Sequence, residues 1–154
     1  MTTKSVVVER RIEATPGPVW EALTDLKGME RVLSGVNRVE VLTEGGFGVG
    51  TRWRETRTMF GKEATEEMYV TASEPPDRYV TEAHSHGMHY VTEFALRPAG
   101  TGATMVRMTF SATPAGGAAT GLLARLLGGL GARAVRRAVA QDLTDVAASV
   151  ERRG

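Results

Sequence analysis

Three charged residues, Glu55, Arg57 and Glu66, share one face with apolar residues in a predicted β-hairpin over residues 51–73. If Gly61 and Lys62 form a two-residue turn, Arg57 pairs with Glu66 and Trp53 pairs with Val70, and Glu55 shares their face. A buried charge needs a partner or cavity water, because an unpaired one is costly. The pattern predicts either a polar anchor for a ligand carbonyl or hydroxyl, or a structural salt bridge. A one-residue slip would turn all three residues outward.

Glu55 and Glu66 are also candidates for acid–base chemistry, because burial can raise the pKa of a carboxyl group to a value suited to a general acid or base. Arg57 would then polarise a carbonyl group. These three residues are the candidate catalytic residues, without a firm assignment among them.

Three histidines suggest a metal site, which the local pattern disfavours. With a turn at His86 and Gly87, His84 and His89 form a cross-strand pair. In the strand at residues 88–97, the apolar residues Tyr90, Phe94 and Leu96 are expected to face inward, so the two histidines face outward. A third metal ligand would have to be Glu82 or His86. We expect an exposed polar hairpin end, no metal and no cofactor.

Other chemistries find little support. The chain has no cysteine, which excludes thiolate catalysis and disulfides. The glycine-rich segment 45–50 does not match GxxxxGK[ST] and precedes a strand, so a nucleotide site is not expected. The serines lack a nucleophile-elbow setting. With 19 Lys plus Arg against 18 Asp plus Glu, the net charge of +1 argues against nucleic-acid binding.

The elements that position these side chains follow a simple order. Thr15 and Pro16 predict a helix start, with the Thr15 hydroxyl as cap, and a second short helical turn is expected at residues 29–33. Besides the first hairpin, strands are predicted at residues 5–13, 38–44, 79–85, 88–97 and 103–112. Six or seven antiparallel strands would therefore separate two helical regions.

The C-terminal helical region carries two apolar stripes. Leucines of segment 122–130 lie nearly opposite the stripe of Val135, Leu143 and Val146 on a helical wheel. One straight helix cannot bury both stripes against one sheet, so a break is predicted at Gly128-Gly129-x-Gly131. The Leu-rich segment 122–130 would be core, cavity rim or a homodimer contact. Four arginines interrupt the apolar stretch 122–140 and argue against stable membrane insertion: Arg125, Arg133, Arg136 and Arg137.

Several motifs resemble one superfamily over almost the whole chain: IEATPGPVWEALTD (12–25), GVGTRW (48–53), FALRP (94–98), GAT (102–104) and the segment 142–151. The chain resembles the START/Bet v 1-like (SRPBCC) superfamily in its bacterial polyketide cyclase/dehydrase and lipid-transport branch. The resemblance implies one α+β helix-grip domain over residues 1–154. In this fold a curved antiparallel sheet surrounds a long C-terminal helix and an apolar cavity, with two short helices after the first strand.

Three functions follow from this resemblance. The first is cytoplasmic binding or transport of a lipid, polyketide or similar molecule, with a predicted ligand-binding set of Trp53, Glu55, Arg57, Met59, Glu66, Met68, Tyr90, Phe94 and Met108. The second is a polyketide aromatase/cyclase or dehydratase that uses the cavity carboxylates. The third is a co-chaperone-like interaction module that uses segment 122–130.

Overall fold

The computed structural model describes residues 4–59, 61–85, 87–114 and 129–152, without the side chains of residues 59, 129 and 130. Its elements, in chain order, are β1 (Lys4–Ile12), α1 (Pro16–Thr24), a 3-10 turn (Leu26–Gly28), α2 (Met29–Val32), β2 (Val36–Val41), β3 (Arg52–Met59), β4 (Lys62–Glu74), β5 (Arg78–Ser85), β6 (Met88–Pro98), β7 (Thr104–Pro114) and α3 (Gly129–Glu151).

The strands form one antiparallel sheet in the order β1-β7-β6-β5-β4-β3-β2, curved around the long helix α3. Register shifts interrupt the pairing of β4 with β5 and of β2 with β3. Such bulges increase the local twist of a sheet. The predicted helix-grip architecture is confirmed, with two short helices between β1 and β2.

Helix α1 starts as predicted at Pro16, whose missing N–H is not needed in the first turn. Thr15 occupies the cap position in an extended conformation, but its hydroxyl makes no capping hydrogen bond, so the predicted hydroxyl cap is wrong. Asp25 instead caps the following 3-10 turn by accepting a hydrogen bond from the backbone N–H of Gly28.

Helix α3 packs on the sheet through one apolar stripe. The stripe consists of the buried side chains of Val135, Val139, Leu143, Val146 and Val150, as the periodicity predicts. The helix is continuous from Gly129 through Gly131, so the chain does not break at Gly131. Residues 122–128, on which the homodimer and co-chaperone hypotheses depend, lie outside the described residues.

The first hairpin differs from its predicted register. Met59 pairs with Lys62, Gly61 has a φ of 77°, and Trp53 pairs with Met68 rather than Val70. The turn therefore lies one residue earlier in the chain than predicted. Because moving a turn by one residue changes the cross-strand partners by two, each side chain keeps its face.

None of the helices in the described part of the chain is both long and apolar enough to cross a membrane.

Candidate functional site: a cavity between the sheet and the C-terminal helix

A cavity of about 740 Å³ lies between the concave face of the sheet and α3. Its wall includes nearly the whole predicted ligand-binding set: Trp53, Glu55, Arg57, Glu66, Met68, Tyr90, Phe94 and Met108. The side chain of Met59, the remaining member, lies outside the described residues. Contact of these side chains with a ligand stays a prediction.

Aromatic rings form one side of the cavity. Tyr79 stacks on Phe94 with 4.6 Å between ring centroids, and it meets Phe47 edge-on at 5.0 Å and Trp20 edge-on at 5.4 Å. Phe47 comes from the glycine-rich loop 45–50, which therefore contributes to the cavity wall. Edge-to-face and offset-stacked pairs hold such rings in fixed orientations.

The Tyr79 hydroxyl lies deep in this cluster, where it donates a hydrogen bond to the carbonyl oxygen of Leu23 at 3.4 Å. Burial, and then the nearby carboxylates of Glu55 and Asp142, raise the pKa of Tyr79 well above its usual value. Tyr79 is therefore a neutral part of the cavity wall.

One guanidinium and two carboxylates form a hydrogen-bonded cluster in the polar part of the wall. Arg57 donates from Nε to Glu55 Oε2 at 2.5 Å, from Nη1 to Asp142 Oδ1 at 3.1 Å and from Nη2 to Asp142 Oδ2 at 2.8 Å. The indole N–H of Trp53 donates to the other Glu55 oxygen at 3.2 Å. We call Glu55, Arg57 and Asp142 the charged triad.

The charged triad is largely removed from solvent. The side chains of Arg57, Glu55 and Asp142 are 23%, 12% and 11% exposed. Burial alone would lower the pKa of Arg57, but the two adjacent carboxylates raise it above its usual value. Burial raises the pKa of Asp142, and the Arg57 guanidinium opposes that increase. Arg57 therefore remains a cation whose charge both carboxylates share.

The predicted partner of Arg57 is wrong. Arg57 pairs across the hairpin with Ala64, and Glu66 lies opposite Glu55. The reason is the earlier turn, which moves each partner by two residues. Glu66 keeps its predicted face and lines the cavity. There, after burial itself, Glu66 helps to raise the pKa of Tyr90 to about 12.

Sequence reasoning missed Asp142 as a site residue, although a signal was present. Asp142 follows Val135 by seven residues, which places a carboxylate on the apolar stripe of α3. A charge at such a position needs a buried partner. The hairpin offered one in Arg57.

A second, smaller pocket of about 130 Å³ adjoins the charged triad. Arg57, Ala138 and Asp142 line both spaces. The smaller one is completed by Ser34, Gly35, Thr58 and Gln141. A Cβ atom at Gly35 would lie 3.3 Å from Arg57 Nη1. Gly35 thus lets the chain approach the guanidinium closely.

The sequence of residues 3–151 matches the family model of polyketide cyclase / dehydrase and lipid transport. The protein belongs to this family. None of the curated proteins compared with it shows a match.

Several solved structures share the fold of this chain. The Zhui aromatase/cyclase from Streptomyces sp. R1128 has a TM-score of 0.83 at 20% identity, over 99% of this chain and 96% of that one. TTHA0849 from Thermus thermophilus has a TM-score of 0.78 at 22% identity, over 97% and 99%. Norcoclaurine synthase from Thalictrum flavum, in complex with dopamine and hydroxybenzaldehyde, has a TM-score of 0.75 at 14% identity, over 99% and 89%. At these identities the likeness concerns the fold.

The histidine pair lies apart from the cavity in this family member. His84 pairs with His89 as predicted, and their rings stack at 4.4 Å. Each ring has its own partner: His84 Nε2 contacts the Tyr69 hydroxyl at 2.9 Å, and His89 Nε2 contacts Glu82 Oε1 at 2.6 Å. Within the described ranges no three metal-ligating side chains come together, and His86 lies outside them.

Proposed function

We propose that this protein binds a hydrophobic small molecule, such as a lipid or a polyketide, in the cavity beneath α3. The observation that carries the proposal is the cavity of about 740 Å³ with its aromatic and aliphatic wall. Small-molecule sites commonly have volumes of about 300–1,000 Å³. Removal of ligand surface from water supplies roughly 25 cal/mol per Å² before ordering costs are subtracted.

The charged triad would orient the bound molecule. Arg57 has five N–H donors, and three of them bond to Glu55 and Asp142 among the described contacts. The remaining N–H groups can donate to a ligand carbonyl. Since the guanidinium is held from both β3 and α3, it would meet the ligand in a fixed position.

Native mass spectrometry of freshly purified protein, followed by denaturing extraction, tests this function. We expect a bound hydrophobic molecule, or binding of the neutral fluorescent probe N-phenyl-1-naphthylamine when the protein is isolated empty. The variant Ala138→Phe fills the cavity from α3, and Ala148→Phe adds the same ring on the exposed face of that helix. The proposal requires that only the first variant weakens binding. Equal binding by both variants, or no binding by the wild-type protein, contradicts it.

A polyketide aromatase/cyclase or dehydratase is the second candidate. It is favoured by two groups on one cavity wall. Arg57 is a permanent cation, and Asp142 is a buried carboxyl group with a raised pKa. A carboxylate of the site would take a proton from a methylene between two carbonyl groups. Arg57 would stabilise the enolate, whose carbon then attacks a ketone and forms the new C–C bond. The resulting alkoxide regains the proton.

Incubation with a poly-β-keto substrate separates the two candidates. If the protein is an enzyme, one of the variants Glu55→Gln, Glu66→Gln and Asp142→Asn should abolish ring closure, because it removes the carboxylate that moves the proton. Probe binding should persist in that variant. A protein that only binds should leave the substrate unchanged beyond its spontaneous reaction.

A further inference from the structure

We propose that the cavity selects neutral ring compounds that donate hydrogen bonds, such as phenols, and rejects carboxylates, including fatty acids. This inference rests on the proposed binding function and specifies its ligand chemistry. It follows from the unequal number of positive and negative side chains in the charged triad, which lies on the described part of the cavity wall.

The charged triad has a net charge of −1 because one guanidinium serves two carboxylates. Glu66 lies on the same wall, and Glu63 and Lys62 lie at the exposed end of the hairpin. An apolar acid bound beside the charged triad would lose its water shell and meet the net negative charge of these three side chains. In a poorly solvated site that interaction is strongly unfavourable.

Arg57 cannot compensate as a free anion receptor. Its Nη1 and Nη2 both bond to Asp142, and its Nε bonds to Glu55. A ligand carboxylate could form a bidentate pair only by displacing Asp142 or Glu55, which would leave the displaced carboxylate buried without its partner. A neutral carbonyl can use a remaining N–H without displacing anything.

Acceptor capacity, by contrast, remains available. A carboxylate has about four lone-pair sites, and each oxygen of Glu55 and Asp142 accepts one hydrogen bond from the described residues. A ligand O–H can donate to one of the remaining sites. The wall therefore favours a donor group on an apolar ring over an anionic group on the same ring.

Three probes with one ring system test this selection: 2-methylnaphthalene, 2-naphthol and 2-naphthoate. Affinities are measured by fluorescence or calorimetry near neutral pH, where the naphthol is neutral and the naphthoate is ionised. We expect 2-naphthol to bind about tenfold or more tightly than 2-naphthoate, from the energy of a unit charge at close range. We expect 2-methylnaphthalene to bind with intermediate affinity.

Charge-neutralising variants provide the decisive comparison. Asp142→Asn and Glu55→Gln each leave Arg57 with one carboxylate, so either variant should raise the affinity for 2-naphthoate by about tenfold relative to 2-naphthol. Two control variants remove one negative charge outside the charged triad. Asp145→Asn does this on α3, where the carboxylate accepts a hydrogen bond from Ser34. Glu67→Gln does this on the opposite face of β4, where the carboxylate pairs with Arg52. These controls should retain the wild-type preference. Circular dichroism identifies a variant that does not fold, in which case the other variant decides.

The possible results distinguish this inference from the function beneath it. Binding of 2-methylnaphthalene together with equal or tighter binding of 2-naphthoate than of 2-naphthol overturns the selection and leaves the binding function intact. An unchanged preference in both folded variants also overturns it. Failure of all three probes to bind overturns both the proposed function and the selection.

Discussion

Arg57 on β3 and Asp142 on α3 form a bidentate ion pair, with nitrogen–oxygen distances of 3.1 and 2.8 Å, that joins the sheet to the C-terminal helix. The two residues are 85 positions apart in the chain. The pair fixes the position of the helix above the cavity and, at the same time, supplies the polar part of the cavity wall. Stability and the proposed ligand recognition therefore depend on the same contact.

We expect Asp142→Ala to lower the free energy of unfolding by about 3 kcal/mol, because it leaves the buried guanidinium of Arg57 with one partner. Urea denaturation measures the loss. Glu40→Ala is the matched control, since it removes a carboxylate from Arg54 in a pair whose side chains are about half exposed; an effect under about 1 kcal/mol is expected there. Similar losses in both variants would show that the buried pair has no special structural role.

Gly35→Ala should disturb the guanidinium from the side of the smaller pocket. The added Cβ atom would lie 3.3 Å from Arg57 Nη1, closer than an ordinary contact. We expect the Nη1–Asp142 hydrogen bond to weaken and the free energy of unfolding to fall by about 1 kcal/mol. Gly46→Ala is the control, because a Cβ atom there meets nothing within 4 Å. If the Gly35→Ala variant is as stable as the wild-type protein, Arg57 moves aside freely.

All three tyrosines should titrate above their usual range. The pKa of Tyr90 is raised to about 12 by burial and Glu66, and burial also raises the pKa values of Tyr69 and Tyr79. Because an unfolded tyrosine loses its proton at about pH 10, the unfolded chain ionises first. Stability should then decrease as the pH rises from about 10 to about 12. Ultraviolet absorbance titration of native and denatured protein checks the shift.

Tyr90→Phe tests the Tyr90 contribution. This variant should retain more of its neutral-pH stability at alkaline pH than the wild-type protein does. A native absorbance transition at the same pH as the denatured one would contradict the predicted burial of the tyrosine hydroxyls.

The faces of the first hairpin could be predicted from the sequence, whereas its register could not. Face assignment depends on the alternation of Trp53, Glu55 and Arg57, and this alternation survives a change of partner by two residues. The register depends on where the turn forms. Gly61 supports that turn with a positive φ, which glycine adopts readily, but Lys62 belongs to the strand and pairs with Met59.

The charged triad could be predicted only in part. Alternation within one hairpin placed Glu55 and Arg57 on the cavity wall. The contact with Asp142 depends on how α3 crosses the sheet, and no local pattern specifies that crossing. The position of Asp142 on the buried side of the helix indicated that its carboxylate needs a partner. It did not specify which of the inward-facing charged residues that partner is.

Glu82 should stabilise the outer face of the sheet in a pH-dependent way. Burial alone would raise the pKa of Glu82, but hydrogen bonds from Thr71 and His89 lower it below its usual value. A carboxyl group with a lowered pKa in the folded state stabilises the protein above the unfolded pKa, about 4.3 for Glu. This contribution is lost as the pH falls through the lowered folded-state pKa. We therefore expect Glu82→Gln to be less stable than the wild-type protein at neutral pH, and the difference to shrink in acid. Denaturation over a pH series measures it, with Glu67→Gln as the exposed control, and a difference that stays constant in acid would refute the linkage.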